Sequence, residues 1–534
     1  MARKGCRDTG LTEGARRAPC RRRWWGRPPL DWQRLLGAAG GGLVLALVTI
    51  ALARLTHTSW DILTDPAPSA QADFAWMYFA LSTVWAHLWT GGSTAALYSV
   101  SAQRSWMTAH GVPYTALELY SYPPQFAVAF AWLGAFGYGA AGTVWTLLSF
   151  GWFVGAVAFG CELACPRRDW RVWTALAAVG LSCFPALTTF YWGQTDTLIL
   201  FLVAAGLWSI HRGGRPLLGG ACIALASVFK LTPAVLLVYF TARWVLGRMR
   251  DGGDAGPAGD AAARRRRAAS DGWVAAGGLS MGLALTGLSV AAVGWGPFHS
   301  YLAQTLPEVQ QIALAVGPAP MEQSLRGLLL LFLNPGFTVR VIADLLSLAA
   351  VVAVFVSDDR HPRADIRAEA AALALLPLLC SPSLEGHHFV AAVLPEVLLG
   401  GWLLEARVRR RVWALGLYAV AALLLAVPGE PFLPAVGRPL CSLPGQLGLL
   451  PGGGAIVVAC AGQHLWSVLL LFGLALGGLL LPSGGPPRVG RRPQARTAVA
   501  DPDRVCTQEQ ARSPASSISG WTWTHDTVPC TWRW

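Results

Sequence analysis

A few polar residues sit at the ends of long apolar runs, and their types are those that handle protons and anions. Asp73, Asp196 and Glu385 are carboxylates able to accept a proton, and Lys230, Arg326, His387 and His388 are cations or titratable donors able to hold an anion. Tyr122, Trp192, Gln194 and Gln323 add hydroxyl, ring and amide surfaces for hydrogen bonding and stacking. They fall in short stretches: Tyr122-Pro-Pro124, Tyr191-Trp-Gly-Gln194, Lys230-Leu-Thr-Pro233, Glu322-Gln-Ser324 and the turn carrying His387-His388. Ionisable groups beside membrane spans are costly and therefore functional candidates by default. Each also has a plainer explanation. Asp73 suits a helix N-cap, Tyr122-Pro-Pro a rigid entry into an apolar layer, Lys230 a snorkelling cation, and the histidines a span end. Lys230 is nevertheless the only lysine besides Lys4, in a chain that otherwise uses arginine. Adjacent histidines on a helix diverge, so the pair is not expected to share a metal.

The elements that must carry these residues follow from composition. The chain has 534 residues, 54% hydrophobic and 13% charged, about half the charged fraction of a soluble domain. That excludes a water-soluble globule, and the long apolar runs exclude disorder. A span needs about 20 apolar residues. Runs at 35–55, 140–162, 171–190, 196–210, 216–229, 232–247, 272–294, 339–356, 367–380, 388–404, 411–427 and 457–481 predict an all-α polytopic membrane protein with about twelve spans. The run 124–138 is short for a span and is expected to dip into the membrane. Pro233 breaks 216–247 in two, because it removes a helix hydrogen bond and disfavours helix just before it.

Arginine placement supports this threading. The segments 1–34, 163–171, 211–215, 241–271, 357–367, 405–411 and 482–534 hold 36 of the 42 basic residues, which marks them as cytoplasmic. The other face keeps Arg54, Arg104, Lys230, Arg326, Arg340 and Arg438, together with nearly all the polar stretches above. The net charge of +13 is thus an orientation signal between spans and does not indicate nucleic acid. The organisation read from the chain is a basic tail 1–34, a membrane domain 35–481 with a helical outer loop 56–139, and a Pro-, Arg- and Ser-rich tail 482–534. Both termini are expected in the cytoplasm and the polar site outside. Phe74, Tyr78, Trp85 and Trp89 suit an aromatic belt at the interface. The eleven cysteines form neither a metal-ligand spacing nor a disulfide framework.

Taken in order, the stretches resemble glycosyltransferase family 87, a family of multi-spanning GT-C transferases that includes polyprenyl-phosphate-mannose-dependent alpha-1,2-mannosyltransferases of actinobacteria. The matching pieces are Asp73 with Tyr78, Tyr122-Pro-Pro124, Trp192-Gly-Gln-Thr-Asp196, Phe229-Lys-Leu-Thr-Pro233, Glu322-Gln-Ser-Leu-Arg326 and Ser381-Pro382 with His387-His388. The likeness runs from about 35 to 430. Many relatives carry Asn where this chain has Asp196.

The resemblance implies a GT-C bundle and transfer of a hexose, mannose by default, from a polyprenyl-phosphate sugar to a glycolipid or cell-wall glycan. It assigns the general base to Asp73, on the outer face, and implies inversion at the anomeric carbon. Lys230, Arg326, His387 and His388 then stabilise the departing phosphate. Tyr122, Trp192, Gln194, Asp196 and Gln323 bind sugar or acceptor. The lipid bilayer is a partner, and neither a metal nor another cofactor is expected. The competing reading is a transporter or flippase for a lipid-linked or small polar substrate. The polar residues gathering on one face, without an internal repeat, weigh against it.

Overall fold

The computed structural model describes residues 72–480 except 113–119, 167–168, 251–257, 316–321, 331–332, 334–335, 361–364, 406–410 and 428–461. The expected first span 35–55, both tails, and Arg438, Cys441 and Cys460 lie outside the described residues. Within them the chain is all-helical. In chain order the helices are α1 (Ala72–Thr90), α2 (Val100–Ala109), α3 (Pro124–Phe130), α4 (Tyr138–Ala164), α5 (Trp170–Leu181) and α6 (Phe184–Trp192). Then come α7 (Asp196–His211), α8 (Pro216–Phe229), α9 (Ala234–Arg250), α10 (Ala258–Val293), α11 (Gly296–Ser300) and α12 (Leu306–Ala315). The last are α13 (Leu325–Leu330), α14 (Phe337–Arg360), α15 (Ile366–Leu379), α16 (Val393–Glu405), α17 (Arg411–Ala426) and α18 (Gln463–Leu480).

Where they are described, the runs read as spans beyond the first fall on helices, 171–190 on two, but the lengths do not establish twelve spans. Among the described residues, five helical stretches are long and apolar enough to cross a bilayer: Tyr138–Ala164, Arg265–Val293, Phe337–Arg360, Gly386–Leu404 and Gln463–Leu480. A sixth arises if α5 and α6, bent by 51° at their junction, count as one span. The 14 residues of α8 rise only about 21 Å, against a hydrocarbon core of about 30 Å. Lipid forbids exposed backbone ends, so short helices at membrane depth must end against protein. The break after α8 falls at Lys230, which is extended (φ −146°, ψ 120°), three residues before Pro233. The 124–138 run forms α3 and a tight turn at Ala131–Ala135 packed on α1. Pro124 opens α3 within its first turn, where a missing N–H costs nothing.

The centre of the bundle is α15, buried at every position from Ala368 to Leu379 and flanked by α9, α14, α16 and α18. A helix apolar all round belongs in such a core. Beside it α8 and α10 approach until backbones touch: a methyl group at Gly220 would overlap the Val274 carbonyl, and one at Gly277 that of Leu217. Small residues on facing helices permit this contact. The aromatic residues of α1 depart from the expected belt. Phe74 and Tyr78 are buried, packed on Trp145 and Tyr138, and only Trp89 at the far end is largely exposed. Asp73, at the start of α1, is thereby set against α4 and the turn after α6.

Four helices are also tied by an ion network that the sequence reading missed. Arg243 of α9 forms a two-pronged pair with Asp271 of α10, both contacts 2.7 Å, and reaches Asp358 of α14 at 2.5 Å and Glu369 of α15 at 2.7 Å. Arg267 of α10 adds Asp358 at 2.5 Å and Glu369 at 3.3 Å. Both arginines had been read only as orientation charges. Two guanidinium groups here face three buried carboxylates, so removing one guanidinium leaves carboxylates uncompensated. Arg243→Met is expected to destabilise the fold by about 3–5 kcal/mol, seen as a lowered thermal midpoint in detergent. Adding Asp271→Leu should recover part of that loss, whereas a packing defect would only deepen.

Candidate functional site

The site assembles around the turn between α6 and α7. Gly193 ends α6 with φ 72°, a left-handed conformation that glycine adopts without a Cβ clash. The Trp145 indole N–H donates to the Gly193 carbonyl at 2.8 Å and fixes the turn to α4. Two residues of opposite use leave this turn within three positions: Gln194 toward α1, and Asp196, first residue of α7, toward Lys230.

On one side Gln194 Nε2 donates to Asp73 Oδ2 at 2.5 Å, while Gln194 Oε1 accepts from the Tyr122 hydroxyl at 2.8 Å. Thr195 Oγ1 donates to the Tyr122 oxygen at 3.3 Å. Because a carboxylate is acceptor-only, Asp73 dictates which end of the amide faces it. The Tyr122 ring stacks on Phe126 at 5.0 Å. Burial pushes the Tyr122 hydroxyl well above its usual value, and the Asp196 and Asp73 carboxylates push it further, so it is a fixed proton donor.

On the other side Lys230 Nζ lies 2.6 Å from Asp196 Oδ1. Asp196 Oδ2 is buried, accepts no hydrogen bond, and faces His387 Nε2 at 3.8 Å. His387 Nδ1 in turn lies 3.6 Å from Glu385 Oε2. The two histidines do not diverge as expected. They stand on a tight 3-10 turn, Gly386–Ala392, with ring centroids 4.2 Å apart. Thr189 Oγ1 of α6 donates to the His387 carbonyl at 3.1 Å, seating that turn on the same helix that ends at Gly193.

Asp73, Tyr122, Gln194, Asp196, Lys230, His387 and His388 thus share one neighbourhood through direct contacts. Trp192 packs edge-on against Tyr191 at 5.1 Å, half-buried beside the turn. Gln323 is engaged elsewhere: its N–H donates to the Leu384 carbonyl at 2.7 Å and its Oε1 accepts from the His464 N–H at 3.1 Å, at the start of α18. Glu322 has a related task. It accepts from Ser324 N at 3.1 Å, Leu384 N at 3.0 Å and Ser383 Oγ at 2.5 Å, stapling the 322–324 loop to the 383–388 loop. Arg326, buried on α13, has Glu322 and Arg340 as its charged neighbours, and burial pushes its guanidinium below the usual value. Glu385, noted in the sequence among the outer-face carboxylates, was given no role there; its place just before Gly-His-His was the available signal.

The sequence profile of glycosyltransferase family 87 matches residues 120–382. That is narrower than the 35–430 read from the motifs: it includes Tyr122, Gln194, Asp196, Lys230 and Arg326, and leaves out Asp73 and the two histidines. Among curated proteins, the chain is 27% identical over 385 residues to a polyprenol-phosphate-mannose-dependent alpha-(1-2)-phosphatidylinositol pentamannoside mannosyltransferase of Mycobacterium tuberculosis (strain CDC 1551 / Oshkosh), covering 70% of this chain and 78% of that one. A protein of the same name from Mycolicibacterium smegmatis (strain ATCC 700084 / mc(2)155) is 29% identical over 184 residues, 33% of this chain and 43% of its own length. No solved structure matches at a significant level.

Ligand atoms of Asp196, His387 and His388 lie within 4.8 Å of one another, close enough by distance to surround an ion. Their chemistry does not fit one. The Glu385 N–H donates to His388 Nδ1 at 2.8 Å, which places that ring's hydrogen on Nε2 and leaves neither nitrogen as a ready ligand. The Lys230 ammonium already neutralises Asp196. Purified protein incubated with excess zinc and desalted is expected to retain well under one equivalent; one full equivalent, lost in His387→Ala, would show a metal site instead.

Proposed function

We propose that the chain is a membrane hexosyltransferase of the glycosyltransferase family 87 kind, the family whose profile matches residues 120–382, using a polyprenyl-phosphate sugar as donor. The names of the two mycobacterial relatives support mannose as the sugar and a glycolipid or cell-wall glycan as the acceptor. The observation that carries the reading is the division of charge around one turn. A carboxylate, Asp73, is aimed by an amide on one side, and a Lys230–Asp196–His387 group stands on the other.

Transfer from a sugar phosphate requires a base for the acceptor hydroxyl and donors for the oxygen that leaves with the phosphate. Asp73 takes the hydroxyl proton; Gln194 holds the carboxylate in one orientation, and Tyr122 holds Gln194. An oriented base contributes about 10²–10⁴-fold. Lys230 and the two histidines stabilise charge as the anomeric carbon–oxygen bond breaks. A phosphate departs as a weak base, so no matching acid is required. Attack on the face opposite the phosphate inverts the anomeric centre, giving an alpha product from a beta-linked donor. Arg326 and Gln323 act at one remove in this scheme, through the loops that carry His387 and His388. The arginine distribution supports both termini in the cytoplasm and a site open to the outer face of the cell membrane.

Membranes containing the protein, given radiolabelled polyprenyl-phosphate mannose and a mixed glycolipid acceptor pool, are expected to yield labelled glycolipid. Asp73→Asn, folded normally, should lower the rate by at least about 10²-fold. Gln194→Leu should lower it less, by roughly tenfold, because the base remains and only its aim is lost. Export of intact donor without a labelled product would support a transporter and refute the transferase reading.

A further inference from the structure

Glu385 lies at the mouth of the site, its side chain 48% exposed, and has no part in the chemistry described above. Its contacts nevertheless reach both histidines. As the residue before the 386–392 turn it forms a reciprocal cap with His388: the Glu385 carboxylate accepts the His388 backbone N–H, and the Glu385 backbone N–H donates to His388 Nδ1 at 2.8 Å. A glutamine or glutamate side chain is usual in the answering position of such a box. A histidine there has a consequence those side chains lack. With Nδ1 held as the acceptor, the neutral ring carries its hydrogen on Nε2, so His388 has one defined donor. Glu385 also places Oε2 3.6 Å from His387 Nδ1, while Asp196 Oδ2 lies 3.8 Å from His387 Nε2. His387 therefore stands between two carboxylates, one at each ring nitrogen. Both contacts are longer than a hydrogen bond, so the two carboxylates orient the His387 ring electrostatically without fixing its charge.

We propose that Glu385 is a positioning residue for the phosphate of the lipid-linked donor, presenting His388 as a single-tautomer donor and orienting the His387 ring through its own carboxylate charge. The inference rests on the transferase reading and deepens it: recognition of the donor phosphate extends to a residue that touches neither sugar nor phosphate.

Three variants separate the two contributions of Glu385. Glu385→Gln keeps an oxygen for the cap and removes the charge. Glu385→Asp keeps the charge and is a good cap residue. Glu385→Ala removes both. Transfer is measured with radiolabelled polyprenyl-phosphate mannose at varied concentration, then with the glycolipid pool varied, on protein that elutes as a single species. Glu385→Gln should raise the donor KM roughly fivefold, a modest factor because the charge is half-exposed, with kcat and the half-saturating acceptor concentration unchanged within about twofold. Glu385→Ala should raise the donor KM further, to roughly twentyfold, and Glu385→Asp should return it near the wild-type value. A donor KM unchanged in Glu385→Gln, or an effect confined to kcat or to the acceptor, overturns the proposal while the transferase reading stands. Wild-type protein that transfers no sugar overturns both.

Discussion

The Lys230–Asp196 pair is the interaction on which the arrangement of the site depends. A lone ammonium or carboxylate at this depth would carry a desolvation cost of several kcal/mol, and each supplies the other's compensation at 2.6 Å. Their positions in the chain make that a constraint on architecture. Asp196 is the first residue of α7, and Lys230 is the extended residue that ends α8. Bringing them together forces the start of one helix and the end of the next to the same level. Pro233 provides the break that lets Lys230 leave the helical path, and α9 then runs back along α10. Neither α7 nor α8 has the length of an independent span, and the pair gives their polar ends a partner within protein.

Gln194 is the neutral counterpart of that pair. An amide cannot titrate, so Gln194 itself always offers one donor and one acceptor to its two partners. It donates to Asp73 and accepts from Tyr122, linking α1 to the Tyr-Pro-Pro entry of α3 through the turn after α6. The same turn emits Asp196 in the other direction. The Asp73 carboxylate and the Lys230–Asp196 pair are thereby kept on opposite sides of the turn, so Asp73 does not collapse onto the ammonium. The left-handed Gly193 and its bond from Trp145 do this, by fixing where Gln194 and Asp196 separate.

Much of the candidate site was legible because spacing around glycine and proline carries a local meaning. The break before Pro233, the short 124–138 helix and the clustering of Asp73, Tyr122, Gln194, Asp196, Lys230 and the histidines all followed from such punctuation. What escaped were properties fixed by tertiary contact. Hydropathy finds apolar runs but not their depth, so helices of 14–17 residues read as spans equal to α4. An arginine at a span end looks the same whether it faces the cytoplasm or a buried carboxylate; Arg243 and Arg267 are tied to Asp358 and Glu369, more than 90 residues away, and Arg243 to Asp271 as well. Gln323 looked like a sugar-binding amide until α18 took its oxygen. The histidine pair was misjudged through its backbone: a regular helix would separate the rings, and a capped 3-10 turn brings them together.

The Lys230–Asp196 pair also sets a condition on whatever anion enters. Before binding, the ammonium is neutralised, so an approaching phosphate gains only what exceeds the carboxylate's hold. A neutral amide at position 196 would leave Lys230 stronger as an anion trap but costly in the empty protein. The carboxylate reverses that balance, lowering the cost of the empty state and weakening indiscriminate capture of anions. Asp196 Oδ2 takes no part in that pair: it is turned toward His387 and accepts no hydrogen bond. Asp196 is best understood as the counter-ion of Lys230, which keeps the site near neutrality inside an apolar body while its second oxygen stays turned toward His387.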